Sequence, residues 1–332
     1  MSERVLVTGG AGCIGSELAA RLAAEGAEVT LLDNLGSGKR EHIAALLELP
    51  NFRFVEADLL DRGALDDAMA GVDTIYHLAA NPDIKFAAGE ATDKDLRQNT
   101  LATYNLLESA RVHGCRRLAF TSSSAVYGVA WRLPIAEDHP CRPISLYGAS
   151  KLACEALIGA FQNLFGMECW IFRLANIVGP KERARGRTVI GDFIHALEGD
   201  PRRLPILGDG RQAKSYLWIG ECVDAMLHAV RHARGGLNIL NVGGADSLTV
   251  RRIADMTTAA MGLANVAYDF TGGEGGWPGD VPRFTLDVAA MERLGWKASL
   301  TSEQAVERAI RARLERRRSV RAAASGRGPC KP

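Results

Sequence analysis

Tyr147 and Lys151 stand four residues apart in Tyr147-Gly148-Ala149-Ser150-Lys151, a spacing that on a helix puts a phenol and an ammonium on one face. A nearby cation favours the phenolate and draws a tyrosine from its ordinary ~10 toward a value useful for proton abstraction. Tyr147 is therefore a candidate general base, with Lys151 beside it. Upstream, the hydroxyls of Thr121-Ser122-Ser123-Ser124 follow an apolar run. One of them can hydrogen-bond a substrate oxygen while Tyr147 moves its proton. Taken singly, a YxxxK spacing also occurs on ordinary amphipathic helices, and serine clusters also make turns. Their order behind a third element favours chemistry.

The third element is Thr8-Gly9-Gly10-Ala11-Gly12-Cys13-Ile14-Gly15-Ser16, directly after the apolar Val5-Leu6-Val7. Gly9, Gly12 and Gly15 permit a tight strand-to-helix turn, backbone approach to a pyrophosphate and close helix packing, with the anion held at the helix N-terminus. Asp33 ends the next strand. An acid about twenty residues past such a loop hydrogen-bonds ribose hydroxyls and repels a 2′-phosphate, which favours NAD over NADP.

These groups need a sheet whose strand ends gather at one edge. Apolar runs over 4–8, 28–32, 52–55, 74–78, 118–122 and 169–173 alternate with helical patterns, so the chain is expected to form an α/β, Rossmann-type, doubly wound parallel sheet of six strands. Long helices are expected over 96–113 and 146–165. Past Arg173 the turn clusters Gly179-Pro180, Gly208-Asp209-Gly210, Gly243-Gly244 and the glycine-rich stretch from Gly272 to Gly279 indicate a smaller α+β substrate region. The expected division is 1–175 for cofactor binding, 176–315 for the substrate region, which exchanges elements with the first, and 316–332 for a basic, disordered tail.

The 332 residues are 47% hydrophobic and 24% charged with a net charge of +1, which gives no reason to expect nucleic acid or an anionic membrane as partner. Arg316-Arg317-Arg318 reads as a solvated terminal run rather than a nucleic-acid arm. The 7 cysteines include no CxxC pair, so neither a disulfide framework nor a metal site is indicated. A strand begins almost at once and no run of about eighteen apolar residues occurs, so no signal peptide or membrane span is expected and the setting reads as cytoplasmic. His77, alone at a strand end, reads as a packed neighbour.

In sequence order, TGGAGCIGS (8–16), DNLGSG (33–38), ADL (57–59), HLAA (77–80), Asn99, SSSAVYG (122–128), YGASK (147–151), RLANIVGP (173–180), GDGRQAKSY (208–216), NVGG (241–244), PGDV (278–281) and LGW (294–296) resemble the extended short-chain dehydrogenase/reductases. The closer resemblance is to their nucleotide-sugar epimerase/dehydratase branch, the UDP-glucose 4-epimerase-like enzymes, from about Arg4 to Leu314. It implies Ser123, Tyr147 and Lys151 as the catalytic set. For the cofactor it implies, besides the loop with Cys13 and Ile14 and Asp33, a set of Asn34, Gly38, Asp58, Leu59, Leu78, Ala79, Ala80, Asn99, Ser122, Tyr147, Lys151 and Ile177. Asp58 and Leu59 would hold the adenine. For the substrate it implies Asn81, Ser123, Ser124, Tyr147, Asn176 at the diphosphate, Val189, and the positions occupied by Lys214 and Trp277. It also implies a homodimer that pairs helices 96–113 and 146–165 of two subunits.

Where the dehydratases it resembles carry Thr-Asp-Glu, this chain has Ser123-Ser124-Ala125, and the glucuronic-acid decarboxylases likewise keep a glutamate at the Ala125 position. Both chemistries lack their acid here, which leaves 4-epimerisation of a nucleotide-diphosphate sugar, by default a UDP-hexose or UDP-hexuronate. Two family arginines are replaced by Lys214 and Trp277; a lysine lacks the bidentate fork, and an indole offers a stacking face. Lys85 is either a compensating cation near the sugar or an exposed lysine. A net reductase or dehydrogenase using the same residues, a dehydratase, and a non-catalytic NAD-dependent sensor remain as alternatives.

Overall fold

The computed structural model describes residues 2–83, 91–181, 188–277 and 279–324. Short β-branched and aliphatic runs form β1 (Arg4–Thr8), β2 (Glu28–Asp33), β3 (Phe52–Glu56), β4 (Thr74–His77), β5 (Arg117–Ser123) and β6 (Glu168–Leu174). Between them lie α1 (Cys13–Ala24), α2 (Arg62–Met69), α3 (Ala102–Val112) and α4 (Leu146–Phe165). Asp61 caps α2 and Ser145 caps α4 through their side-chain oxygens, satisfying amides that the first turn would otherwise leave open.

The second half supplies β7 (Asn176–Val178), α5 (Val189–Gly199), β8 (Arg203–Ile206), β9 (Ala213–Lys214), β10 (Tyr216–Trp218), α6 (Ile219–His232) and β11 (Leu237–Val242). The main sheet, among the described residues, has the order β11-β6-β5-β4-β1-β2-β3 with every pairing parallel. It is a doubly wound, Rossmann-type α/β sheet, with one strand more than the six expected. Asn238 and Asn241 break the apolar run of β11, which pairs on one side only, so the sequence signal there is weak.

Alternation sends Trp170 and Phe172 of β6 to one face, with α1 and α6, and Cys169 and Ile171 to the other, with α3 and α4. Both faces are buried, as a parallel sheet requires. Strand order reverses between β1 and β4. The crevice at such a switch point, outside the carboxyl ends of the strands, is where this architecture takes ligands.

The smaller region continues with β12 (Leu248–Thr249), α7 (Val250–Ala260), β13 (Ala267–Phe270), β14 (Arg283–Phe284), α8 (Ala289–Arg293) and α9 (Ser302–Ala324). Phe193, Ile194, Leu204, Ile253, Val306 and Ile310 build its core. The basic tail expected from Arg316 is corrected in part: α9 runs on to Ala324, while 325–332 lie outside the described residues. Arginine and alanine are good helix formers, and Arg316 finds Glu41 while Arg317 and Arg321 share Glu198 of α5. No described helix is long and apolar enough to cross a membrane.

Candidate active site

The loop after β1 turns at Gly9, whose φ of +67° suits glycine, and a Cβ there would lie 2.5 Å from the Ala79 amide nitrogen. The chain thus passes directly over the end of β4 before entering α1 at Gly12. Gly9, Gly12, Cys13, Ile14 and Gly15 line one wall of a cleft, and Leu78, Ala79, Ala80 and Asn81 line the facing wall. Asp33, Asn34, Asp58 and Leu59 close its far end. Asp33 is 7% exposed and accepts the amides of Ala11 at 2.9 Å and Leu35 at 2.7 Å; burial pushes its pKa up against those bonds. Gly38 packs on Ala11 and Asp33, and Asn34 donates to Asp58 at 2.7 Å.

A dinucleotide fits this cradle: a glycine turn, a helix N-terminus capped by no side chain, and a fixed carboxylate where a ribose would lie. Ser37, Lys94 and Gln98 also line the cleft and were missed from sequence. For Lys94 and Gln98 the available signal was their four-residue spacing, which a helical turn converts into one face.

Thr121 forms part of the cleft at its other end, and there Lys151 Nζ donates to the Thr121 carbonyl at 2.8 Å. Lys151 is 2% exposed, and its ammonium lies 4.6 Å from the Phe120 ring centre and 6.0 Å from that of Tyr147. Burial pushes Lys151 down to about 8, while Cys154, Glu155 and Asp95 act in the opposite direction. Ser123 ends β5 and its hydroxyl accepts the Ala125 amide at 3.2 Å, which leaves its own proton to donate.

Two devices bring α4 onto the serine turn Ser124–Tyr127. Ser145 accepts the Gly148 amide at 3.1 Å, and a Cβ on Gly148 would lie 2.6 Å from the Ala125 carbonyl oxygen, so only glycine permits the contact. Asn99 adds a third tie. It lies in a π-helical turn, Leu96–Leu101, accepts the Asn81 amide at 2.7 Å and donates to Ser150 at 2.8 Å, while Ser150 donates to the Tyr147 carbonyl at 2.8 Å. Asn99 therefore braces the site with its side chain rather than lining the cleft.

Other expected residues fall differently. The Ser122 hydroxyl, one residue along β5 from Ser123, donates to Glu155 at 2.5 Å. His77 is a packed neighbour, bonded to Thr8 at 2.7 Å and Thr103 at 2.9 Å, and burial pushes it down to about 3. Ile177 sits in β7 against the core and Val189 starts α5 on the smaller core. Asn176 hydrogen-bonds the buried Tyr216. Lys214 pairs with Asp280 at 2.5 Å and lies 5.0 Å from the Trp277 ring centre, so its charge is already countered. Lys85 lies outside the described residues.

Residues 5–243 match the model of the NAD dependent epimerase/dehydratase family. The chain is 34% identical over 313 residues to a UDP-glucose 4-epimerase of Mycolicibacterium smegmatis, covering 92% of this chain and 97% of that one. It is similar to a crystal structure of a UDP-galactose 4-epimerase, with 36% identity, a TM-score of 0.83, and 95% and 99% of the two chains covered. It is also similar to MoeE5 in complex with UDP-glucuronic acid and NAD, with 30% identity, a TM-score of 0.82, and 95% and 99% covered. With this cleft and these matches, the chain belongs to the NAD-dependent epimerase/dehydratase family, and its cofactor is NAD.

Proposed function

We propose that the protein is a 4-epimerase of a nucleotide-diphosphate hexose or hexuronate, with a UDP-sugar as the default substrate, and that it works as a homodimer. The observation that carries this reading is Lys151 buried on the Thr121 carbonyl beside Tyr147, in a site whose serine turn has Ala125 where dehydration and decarboxylation call for an acid. Glu155 is on the same helix but is turned to Arg173.

In this reading Tyr147 takes the C4 hydroxyl proton, and the Lys151 cation favours the phenolate that receives it. Ser123 donates a hydrogen bond to the oxygen as it becomes a carbonyl, keeping it oriented. Bound NAD supplies hydride removal and return at C4. The 4-keto sugar turns between the two transfers, presenting the other face of C4, and Tyr147 returns the proton to the C4 oxygen. Inversion needs no further acid. Asn176 anchors the diphosphate in this reading, as the family resemblance implies. Lys214 contributes to that anchor in competition with Asp280, and the Trp277 indole offers a stacking surface for base or sugar. Cys115, Cys154, Cys169 and Cys222 are buried thiols, which supports a reducing, cytoplasmic setting.

The test uses 4-deuterated UDP-glucose and UDP-glucuronic acid followed by NMR. Deuterium retained on an inverted C4, with no free NADH, is the expected result. Stoichiometric keto-sugar with NADH release would make the enzyme a dehydrogenase, and a 4-keto-6-deoxy product would make it a dehydratase.

A further inference from the structure

Glu155 lies one turn beyond Lys151 and two beyond Tyr147, so all three share a face of α4. Its side chain is 5% exposed and that of its partner Arg173, on β6, is 6% exposed. Arg173 Nε donates to both carboxylate oxygens, at 3.1 and 3.2 Å, and Nη2 donates to Oε2 at 2.8 Å. Ser122, the neighbour of Ser123, donates to Oε1 at 2.5 Å. Arg173 Nη1 reaches Tyr127, which closes the serine turn, at 3.0 Å. One carboxylate thus gathers β5, β6 and the serine turn behind the helix that carries the phenol and the ammonium.

A buried ion pair is weak evidence for stability, because apolar residues of similar volume often serve as well. Its place behind the proton-transfer residues points to another role. We propose that Glu155 is a positioning residue for the reaction, which holds the Lys151 ammonium charged beside Tyr147 and, through Ser122, keeps Ser123 in register with that helix face. The inference rests on the reading of Tyr147 and Lys151 as the proton-transfer pair.

The groups that face Lys151 support it. On α4 they are Tyr147, Cys154 and Glu155; from β5, the Thr121 carbonyl and the Phe120 ring; from β4, His77; and, just before the π-helical turn, Asp95. Burial raises the Cys154 thiol and keeps His77 neutral. Asp95 is also raised by burial and receives Asn81 and Asn99. Glu155 is paired with the buried Arg173 guanidinium, and removing its charge would leave that guanidinium uncompensated behind the helix that carries Lys151.

The experiment titrates Lys151 by NMR in NAD-loaded protein carrying lysine labelled with ¹³C at Cε, with the resonance assigned by Lys151→Met. In Glu155→Gln the midpoint should fall by about one unit or more. The alkaline limb of kcat should move down with it, while KM for the UDP-sugar holds. Glu155→Gln/Arg173→Met removes both buried charges and should titrate between wild type and the single variant, and it decides the matter should the single variant not fold. Ser122→Ala keeps the charges and should lower kcat roughly tenfold without moving the midpoint. An unmoved Lys151 midpoint in the charge variants, or wild-type kcat in Ser122→Ala, overturns the proposal. A wild-type enzyme that inverts no nucleotide sugar would instead defeat the functional reading, and the Lys151 titration would still support or overturn the role of Glu155.

Discussion

The ammonium of Lys151 donates to the carbonyl of Thr121, two residues before Ser123, at 2.8 Å. This bond joins the helix bearing Tyr147 to the strand bearing Ser123, at one end of the dinucleotide cleft. It also buries a charge, and that has consequences for pH and stability.

Lys151 is held near 8 in the folded protein against 10.5 for an ordinary lysine. Between those values the unfolded chain keeps a proton that the folded chain has lost. This group's contribution to stability is therefore fully present above the unfolded value and lost as pH falls through the folded one. The stability difference between wild type and Lys151→Met, measured by chemical denaturation across pH 7 to 11, should move in favour of wild type over that window. Turnover of Lys151→Met should fall by roughly 10² or more with melting temperature unchanged or raised. A constant stability difference would mean that Lys151 titrates normally.

Tyr147→Phe removes the phenolic proton acceptor and little volume. Its kcat should drop by roughly 10²–10⁴-fold while NAD stays bound through gel filtration. Near-normal turnover would assign the proton to another group.

Asp33 is fixed by two backbone amides where a ribose would lie. NAD should bind more tightly than NADP by roughly two orders of magnitude, about 2.7 kcal/mol, and Asp33→Ser should narrow the gap. Equal affinities in calorimetry of cofactor-stripped wild type would refute the assignment.

Gly148 touches the Ala125 carbonyl so closely that a methyl group cannot be added without moving α4 or the serine turn. Gly148→Ala should cost about 1–3 kcal/mol in denaturant unfolding and reduce kcat more than it changes NAD affinity. Equal losses in kcat and NAD affinity would indicate general damage rather than a displaced Tyr147.

Leu106, Leu107 and Ile158 of the two long helices are fully buried within the subunit. Leu96, Leu101, Tyr104, Leu164 and Phe165 are instead exposed, by 60, 44, 41, 68 and 41%, and Tyr104 and Phe165 each pack edge-on against Phe161. Such a patch on two neighbouring helices is what a helical dimer interface would cover. Light scattering should give twice the 35.7 kDa chain mass at micromolar concentration, and Leu101→Glu/Leu164→Glu should give monomers. A wild-type monomer would contradict the homodimer.

The sequence alone determined what depends on local order. Short apolar runs set between helical patterns placed β1 to β6, and helical spacing placed α4 at its observed residues. The glycine loop, Asp33 and the Tyr147–Lys151 spacing were legible because each lies within a few residues of chain. Tertiary structure decided what depends on contacts across the fold. β11 is recognisable only once β6 offers it an edge. The helix past Arg316 forms where Glu41 and Glu198 meet its arginines. Ser122 and Ser123 are adjacent and chemically alike, yet the pleat sends the first to Glu155 and the second to the Ala125 amide. Lys214 looks like a ready cation in sequence, and only the fold brings Asp280, 66 residues away, within 2.5 Å to hold it. Side-chain direction and charge compensation are set by partners distant in the chain, and no local pattern encodes them.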